Sequence, residues 1–352
     1  MTDSTPKRKT TVVIDTYGGQ SAPGAIVAAA ARMARQGVAR VVLVGDVTSL
    51  QDKLSLVPYD PMTLRIEPVP VPHPRHQGDT AAQIEAARIA LPIAMELLNN
   101  GEADALITAS PADLVFSLAE AYLPLLPHVR GLAAAAVFPT LPRQEGGDPL
   151  GLLLDVSGRR LQHANSLVEF AVLGAAYARI VTGIAEPKVA LLSTGRDPQT
   201  GPAEVVRAHP LLRHRPGMQL VGNLQATDIS RGLADVVVAD GLVGHTVRGL
   251  LEGLTTMTVE AARYAWRTRV AWRVGLRLLS QGVGMLRKVS EFQQYGGAPI
   301  LGLQHLVLGA HPDSGEGAFE NALKLAARCH ARGLQVELGL AAETLADLPS
   351  ES

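Results

Sequence analysis

The chain is poor in cysteine and in aromatic residues, with one cysteine, Cys329, and 4% Phe, Trp and Tyr among its 352 residues. A single cysteine excludes an internal disulfide framework and any metal cluster held by cysteines. The formal net charge of -1 argues against wholesale nucleic-acid binding. No run reaches the roughly 18 uninterrupted apolar residues that a membrane span needs. The polar start, residues 1–10, is unlike a signal peptide, so a cytoplasmic protein is expected.

Short Val, Ile and Leu runs alternate with Ala-rich helical patterns along most of the chain. TVVID precedes a helical pattern at PGAIVAAAARMARQG, and ARVVLVGD follows it; the later runs are ADALITAS, PKVALLSTG and ADVVVADG. Continuous apolar runs separated by helices predict a mainly parallel sheet that is covered on both faces. Ligands bind at the carboxyl ends of such strands, so the endings DTYGG, VGD, TAS, STG and ADGLVG are expected to face one crevice.

A Pro-rich stretch, PVPVPHPRHQGD at residues 68–79, interrupts the alternation and predicts an extended surface excursion. Its His73 and His76 are three residues apart, a spacing that would suit a metal ion. No third ligand is evident nearby, so no metal site is predicted.

A basic region at residues 262–289 interrupts the alternation a second time. Its basic residues are Arg263, Arg267, Arg269, Arg273, Arg277, Arg287 and Lys288, with no acidic residue among them. At about 100° per residue these positions fall in an arc of roughly 160°, opposite Trp272, Leu276, Leu279 and Val283. Three interpretations stay open: a helix pair packing on a core or a partner subunit, docking of an acidic carrier protein, and adsorption to an anionic membrane.

Several segments occur in an order that points to a known family. They are VVIDTYGG, ARVVLVGD, NNGEADALITA, LLLDVSG, SLVEFAVLGAAYAR, PKVALLSTG, ADVVVADGLVGH and QQYGGAPILGLQHLVLGAH. This order, from residue 11 to about residue 335, resembles the bacterial phosphate acyltransferases of the PlsX type, which are related in fold to phosphotransacetylases.

The resemblance implies an α/β fold, a three-layer αβα sandwich of the isocitrate and isopropylmalate dehydrogenase kind. It implies a single domain over residues 11–340, with tails at 1–10 and 341–352. A helical hairpin at about residues 248–292 would serve dimerisation and membrane contact. The implied reaction transfers a fatty acyl group from acyl carrier protein to inorganic phosphate, forming an acyl phosphate for phospholipid synthesis. No cofactor is implied.

That reaction explains why glycine turns matter. Phosphate is already an anionic nucleophile, so the enzyme mainly positions it and stabilises a tetrahedral oxyanion. Backbone N–H groups at Gly-rich turns and helix N-termini perform both tasks. The predicted substrate-binding residues are Asp15, Gly18, Gly19, Gly195, Arg196, Gly241, Gly244, His245, Gly296 and Gly297. The predicted catalytic residues are His311, which matches a family histidine, and Asp240. Turn geometry, helix capping and a structural histidine are the competing explanations.

The chain departs from the family pattern mainly at polar positions. The family's Asp-Ala-Met-Gly-Gly-Asp is Asp15-Thr-Tyr-Gly-Gly-Gln20 here, and its Ser-Ala-Gly-Asn-Thr-Gly is Thr108-Ala-Ser-Pro-Ala-Asp113. Arg196 replaces an acidic residue and His245 an asparagine; Arg159 and Arg160 are added cations. These changes leave two functions open. The chain is either an acyltransferase for phosphate or a related acceptor, or a catalytically degenerate paralogue that binds acyl carrier protein or an anionic membrane. A dehydrogenase is disfavoured because the expected Arg/Asp metal-substrate cluster is missing.

Overall fold

The computed structural model describes residues 9–74, 79–141, 150–160, 163–268, 272–273, 275 and 296–349. The predictions for His76 and for most of the second half of the basic region, which includes Leu276, Leu279, Val283 and Arg287, lie outside the described residues.

The described part of the chain contains eleven short strands, of three to seven residues. They are β1 (Thr11–Asp15), β2 (Arg40–Gly45), β3 (Leu64–Pro68), β4 (Ala105–Thr108), β5 (Ala133–Pro139), β6 (Leu150–Leu154), β7 (Lys188–Leu192), β8 (Gln219–Leu224), β9 (Val236–Val238), β10 (Ala298–Leu301) and β11 (Leu306–Gly309).

Helices alternate with these strands. They are α1 (Gly24–Arg35), α2 (Val47–Leu54), α3 (Thr80–Asn99), α4 (Ala112–Tyr122), α5 (Ala164–Thr182), α6 (Ala203–Leu212), α7 (Gly241–Thr268), α8 (Glu316–Ala331) and α9 (Leu334–Glu343), with a 3₁₀ turn at Ala226–Arg231. The prediction of an α/β protein with a mainly parallel sheet is confirmed.

The chain divides into two compact units. The first contains the described residues within 1–132 and 295–340, and the second those within 133–294 and 341–352. The single domain predicted over residues 11–340 stays a prediction. The predicted boundary at residue 340 falls inside α9.

The strand order in the first unit is β3-β2-β1-β4-β11-β10. All neighbours are parallel except β10 and β11. Val12, Val13 and Ile14 of β1 are fully buried, as expected for an apolar run covered on both faces. Ile14 lies opposite Leu43 of β2 and Ile107 of β4. This register puts the carboxyl ends of the central strands, including Asp15, at one edge of the sheet.

The strand order in the second unit is β5-β6-β9-β7-β8, with β5 and β6 antiparallel and the others parallel. Val238 lies between Leu154 and Leu191, so β6, β9 and β7 end at one edge. Helix α5 is long and apolar enough to cross a membrane by length and composition, yet 78% of the qualifying stretch is buried inside the protein. It therefore has the burial of a core helix.

The segment after β3 was predicted to be a surface excursion, and the described part of it is more closely packed than that. Val69 is 4% exposed, and the Tyr17 hydroxyl donates a hydrogen bond to the carbonyl oxygen of Val71. Residues 69–74 are therefore attached to the loop that follows β1.

Candidate active site

Asp15, at the carboxyl end of β1, joins two loops of the first unit. Its carboxylate is fully buried and accepts hydrogen bonds from the Tyr17 N–H (3.0 Å), the Thr108 hydroxyl (2.8 Å) and the Ser110 hydroxyl (2.7 Å). Thr108 ends the neighbouring strand, β4, and Ser110 follows it. The carboxylate therefore fastens the glycine turn after β1 to the loop after β4.

The turn itself requires glycine at two successive positions. A Cβ atom at Gly18 would collide with the backbone of Ala109 and Ser110, and Gly19 has a φ of 95°. The Gln20 N–H donates to the Pro312 carbonyl (2.8 Å), and the Gln83 side chain donates to the Gly19 carbonyl (3.1 Å). The backbone of the turn is therefore held by contacts from three other segments.

These contacts also define what Asp15 itself can do. Burial raises the pKa of its carboxyl group, whereas hydrogen bonds from Tyr17, Ser110, Thr108 and the Gly18 N–H oppose that rise. Two carboxylate oxygens offer about four acceptor sites. Most of their capacity is thus used inside the protein, which favours orientation of the turn over direct contact with a substrate. The predicted substrate-binding role of Asp15 stays a prediction.

The predicted residues His311, Gly296 and Gly297 are also in the first unit. His311 follows β11, its side chain is 42% exposed, and its Nδ1 accepts a hydrogen bond from the Asp313 N–H (3.1 Å). In the neutral ring the proton then sits on Nε2. Gly297 has a φ of 99°, and a Cβ there would crowd the Gly309 carbonyl. Gly296, with a φ of 85°, has no room beside Asn321 of α8.

Tyr17 and His73 form a pair that the sequence did not reveal. The Tyr17 ring is buried and stacks on the imidazole of His73. The Nε2 of His73 lies 3.2 Å from the Thr16 hydroxyl, which itself donates to the Val44 carbonyl (2.8 Å). Because the Thr16 hydrogen is already used, we assign the proton of this contact to His73. Burial lowers the pKa of His73 to about 4, so the ring is neutral near pH 7.

In the second unit, four predicted residues gather at the start of α7. The Asp240 carboxylate accepts from the N–H groups of Leu242 (3.0 Å) and Val243 (3.4 Å), the geometry of a helix cap. Gly241, Gly244 and His245 lie in the first turns of the same helix. The structure therefore brings these four residues together; their predicted substrate and catalytic roles stay predictions.

Asp155, at the end of β6, is a buried carboxylate that sequence analysis missed. It accepts hydrogen bonds from the Ala134 N–H (2.8 Å), the Ser157 N–H (2.8 Å) and the Ser157 hydroxyl (2.5 Å). Burial raises its pKa to about 6. One signal was present in the sequence: Asp155 and Gly158 repeat the strand-Asp-x-x-Gly spacing of Asp15 and Gly18.

The charge of Arg196 is engaged within the protein. Its guanidinium donates to both oxygens of Asp228, from Nε at 3.1 Å and from Nη2 at 2.7 Å. This pairing lowers the pKa of Asp228, which also accepts from Arg231 at 3.4 Å. Gly195 precedes it in a tight loop where a Cβ would meet the Thr200 side chain. Contact of Gly195 and Arg196 with phosphate stays a prediction.

Among the described residues, no group of three or more His, Cys, Asp or Glu side chains is placed to hold a metal ion. The first unit thus presents a fixed glycine turn beside an exposed histidine, and the second presents glycines at a capped helix start. Backbone N–H groups in such places suit an anion.

Comparisons with known proteins agree with this chemistry. A family model described as fatty acid synthesis protein matches residues 10–337. A phosphate acyltransferase of Moorella thermoacetica is 31% identical over 97% of this chain and 96% of its own length. Another, from Myxococcus xanthus, is 33% identical over 93% of this chain and 92% of its own length.

Solved structures share the fold at lower identity. A phosphotransacetylase of Streptococcus pyogenes has a TM-score of 0.58 at 16% identity, covering 92% of this chain and 94% of its own. EutD phosphotransacetylase of Staphylococcus aureus has a TM-score of 0.56 at 15% identity, covering 91% of this chain and 94% of its own. From the family match and the near-complete overlap with its relatives, we conclude that the chain belongs to the fatty acid synthesis protein family, the PlsX-type phosphate acyltransferases.

Proposed function

We propose that the protein is an acyltransferase that transfers a fatty acyl group from acyl carrier protein to inorganic phosphate. The observation that carries this proposal is the glycine turn at Gly18 and Gly19, whose backbone is held in place by Asp15, Gln83 and Pro312. A turn with a fixed backbone suits a phosphate nucleophile, because positioning accounts for most of the catalysis.

The reaction needs no redox step. A phosphate oxygen attacks the carbonyl carbon of the thioester, the C–O bond forms, and the C–S bond breaks. The phosphate enters as the hydrogen phosphate ion and its proton passes to the departing sulfur, so the products are the carrier thiol and the acyl phosphate. Backbone N–H groups stabilise the oxyanion that forms in between. We assign His311 to this step, because its exposed Nε2–H is a suitable donor to the oxyanion or the departing sulfur.

A homodimer is part of the proposal, and the surface of α7 supports it. Four large apolar side chains of α7 are exposed: Leu250 (63%), Leu254 (46%), Met257 (63%) and Tyr264 (65%). Their spacing of four, three and seven residues places them on one stripe of the helix, the pattern of a helix–helix seam. We propose that a second copy of the chain covers this stripe.

The carrier protein and the membrane are the further proposed contacts. Arg267 and Arg273 continue the basic face beyond the apolar stripe, whereas Arg263 pairs with Glu260 at 2.6 Å. Positive charge there would attract an acidic carrier or anionic lipid. We propose a cytoplasmic protein that contacts the membrane peripherally at residues 262–289.

Turnover is tested with acyl-carrier substrate, by measuring phosphate-dependent release of carrier thiol together with hydroxylamine trapping of the acyl phosphate. Gly18→Ala should abolish the signal, because its Cβ has no space beside Ser110. Gly24→Ala is the matched control, since a Cβ at Gly24 meets nothing within 4 Å. Absence of turnover by the unmodified protein with every chain length would refute the proposal.

A binding protein without catalysis is the second candidate function. The Arg196–Asp228 pair favours it, because a cation at a predicted phosphate position is neutralised by a neighbouring carboxylate. Capture of acyl carrier protein without release of thiol would support this candidate, and a measurable turnover would exclude it.

A further inference from the structure

The loop after β6 and the start of α7 interlock in the second unit. The Gly158 N–H donates to the Gly241 carbonyl (3.1 Å), and the Asp155 N–H donates to the Ala239 carbonyl (3.2 Å). The Ser157 hydroxyl, which donates to Asp155, accepts from the Arg159 N–H at 3.2 Å. Two short segments, 155–159 and 239–241, are thus joined by backbone and side-chain hydrogen bonds.

The interlock leaves no space for side chains at two glycines. A Cβ at Gly241 would collide with the Arg159 carbonyl, the Asp155 carboxylate and the Ser157 hydroxyl. A Cβ at Gly244 would collide with the Asp155 carbonyl. The Asp155 loop therefore determines where the first turn of α7 lies.

We propose that Asp155 is a positioning residue of the acyl-transfer site: through Ser157 it fixes the loop at residues 157–159 against the first turn of α7. The residues that it orients are Asp240, Gly241, Gly244 and His245. Only the kinetic consequence of this proposal rests on the proposed function. Its structural part, that the carboxylate holds these two segments together, can be tested in a protein that has no turnover.

A carboxylate is needed at this position because every group facing it is a donor. One oxygen accepts from the N–H groups of Ala134 and Ser157, and the other accepts from the Ser157 hydroxyl. An asparagine can still accept from the Ala134 and Ser157 N–H groups, but its NH₂ group cannot accept from the Ser157 hydroxyl, which loses the acceptor for its hydrogen. The replacement keeps the size of the side chain, so it tests hydrogen bonding and charge without creating a cavity.

Protonation of Asp155 would change the same contacts, because the added hydrogen makes one carboxyl oxygen a donor. Arg159 is the charged group that acts on it, and its positive charge favours the carboxylate; two further titratable residues, Asp240 and His245, lie at the start of α7, which packs on the same loop. Burial acts against the carboxylate and brings its pKa to about 6. The folded site therefore favours the protonated carboxyl more than an exposed site does, so this contribution to loop stability is fully present below about pH 4 and is lost as the pH rises through about 6.

The first arm of the experiment is amide hydrogen exchange, corrected for intrinsic rates, on the full chain at about pH 5 and about pH 8. At the higher pH, Asp155→Asn should speed exchange at residues 157–159 and 241–245 by about tenfold or more. Ser157→Ala should give a smaller effect at the same amides. Asp60→Asn is the matched control, because Asp60 also accepts an N–H two residues on, from Met62 at 2.9 Å, but lies in the first unit.

The second arm is the pH profile of thiol release. We expect kcat of the unmodified protein to change near pH 6, where Asp155 titrates, and kcat of Asp155→Asn to be about tenfold lower and flat across that range. An Asp155→Asn protein with unchanged exchange at 241–245 would overturn the proposal, as would a lowered melting temperature with an unaltered pH profile. If Asp155→Asn does not fold, unchanged exchange in Ser157→Ala would overturn it. Loss of protection in a protein that has no turnover would refute the proposed function and leave the positioning role standing.

Discussion

The imidazole of His73 stacks on the ring of Tyr17, with the ring centroids 4.2 Å apart and the planes inclined by 22°. Burial raises the pKa of Tyr17, so its hydroxyl stays protonated and donates to the Val71 carbonyl. Together these contacts attach residues 69–74 to the loop that follows β1, just before Gly18. The glycine turn is therefore supported by a segment that sequence analysis treated as a surface loop.

His73 should make stability depend on pH. Its folded pKa of about 4 lies below the unfolded value of about 6.5, so the folded protein favours the neutral ring. This contribution is fully present above about pH 6.5 and is lost as the pH falls toward about 4, at most about 3 kcal/mol. His73→Phe keeps an aromatic ring in the stack and removes the titration.

Denaturant unfolding between about pH 4 and about pH 7 measures this difference. His214→Phe, a change at an exposed histidine of the second unit, is the control. Parallel stability curves for His73→Phe and the unmodified protein would contradict the prediction.

Asp15 should matter more for stability than any one of its donors. Asp15→Ala leaves the hydroxyls of Thr108 and Ser110 and the Tyr17 N–H without their acceptor in a buried site. We expect a loss of about 3 kcal/mol or more from the free energy of unfolding, together with loss of turnover. Thr108→Val removes one donor and should cost about 1 kcal/mol. Equal losses for the two variants in denaturant titrations would argue against a shared anchor.

The same substitution at two glycines of α7 should change the free energy of unfolding in opposite directions. Gly241→Ala places a Cβ against Arg159, Asp155 and Ser157, so we expect it to destabilise the protein by about 1–3 kcal/mol. Gly249→Ala meets nothing within 4 Å in the same helix and should stabilise the protein by up to about 1 kcal/mol, because alanine favours the helix. Thermal unfolding of both variants measures these two changes. A loss of stability in Gly249→Ala would contradict the prediction and would show that another surface packs on the helix at Gly249.

The stripe on α7 should control oligomeric state. Met257→Glu introduces a charge among Leu254 and Tyr264, and we expect the dimer to dissociate at micromolar protein concentration. Thr256→Glu, at an exposed neighbouring position about 100° around the helix, is the matched control and should stay dimeric. Sedimentation velocity distinguishes these outcomes; an unmodified protein that is monomeric would refute the proposed interface.

Short-range patterns in the sequence predicted the parts of the fold that depend on local order. TVVID, ARVVLVGD and ADALITAS are strands β1, β2 and β4, and the helical pattern between the first two is α1. The antiparallel pairs β5–β6 and β10–β11 were not predicted individually, because their pairing depends on neighbours that periodicity does not reveal.

Sequence patterns singled out the glycine turns and missed the contacts that depend on distant partners. Gly18 and Gly19 carry a recognisable pattern, whereas the Asp155 carboxylate is held in part by Ala134, 21 residues away. The Tyr17–His73 stack likewise joins two loops separated by two strands and two helices. An aspartate at a strand end looks the same in sequence whether it caps a turn or anchors a second loop.

The two aspartate anchors share no partners. Every donor described for Asp15 belongs to the first unit, and every donor described for Asp155 belongs to the second. Substitutions at sites without shared partners change the free energy of unfolding additively. The double variant Asp15→Asn/Asp155→Asn should therefore show a coupling energy near zero in a double-mutant cycle. The two glycine turns could then be altered, or exchanged between relatives, one at a time.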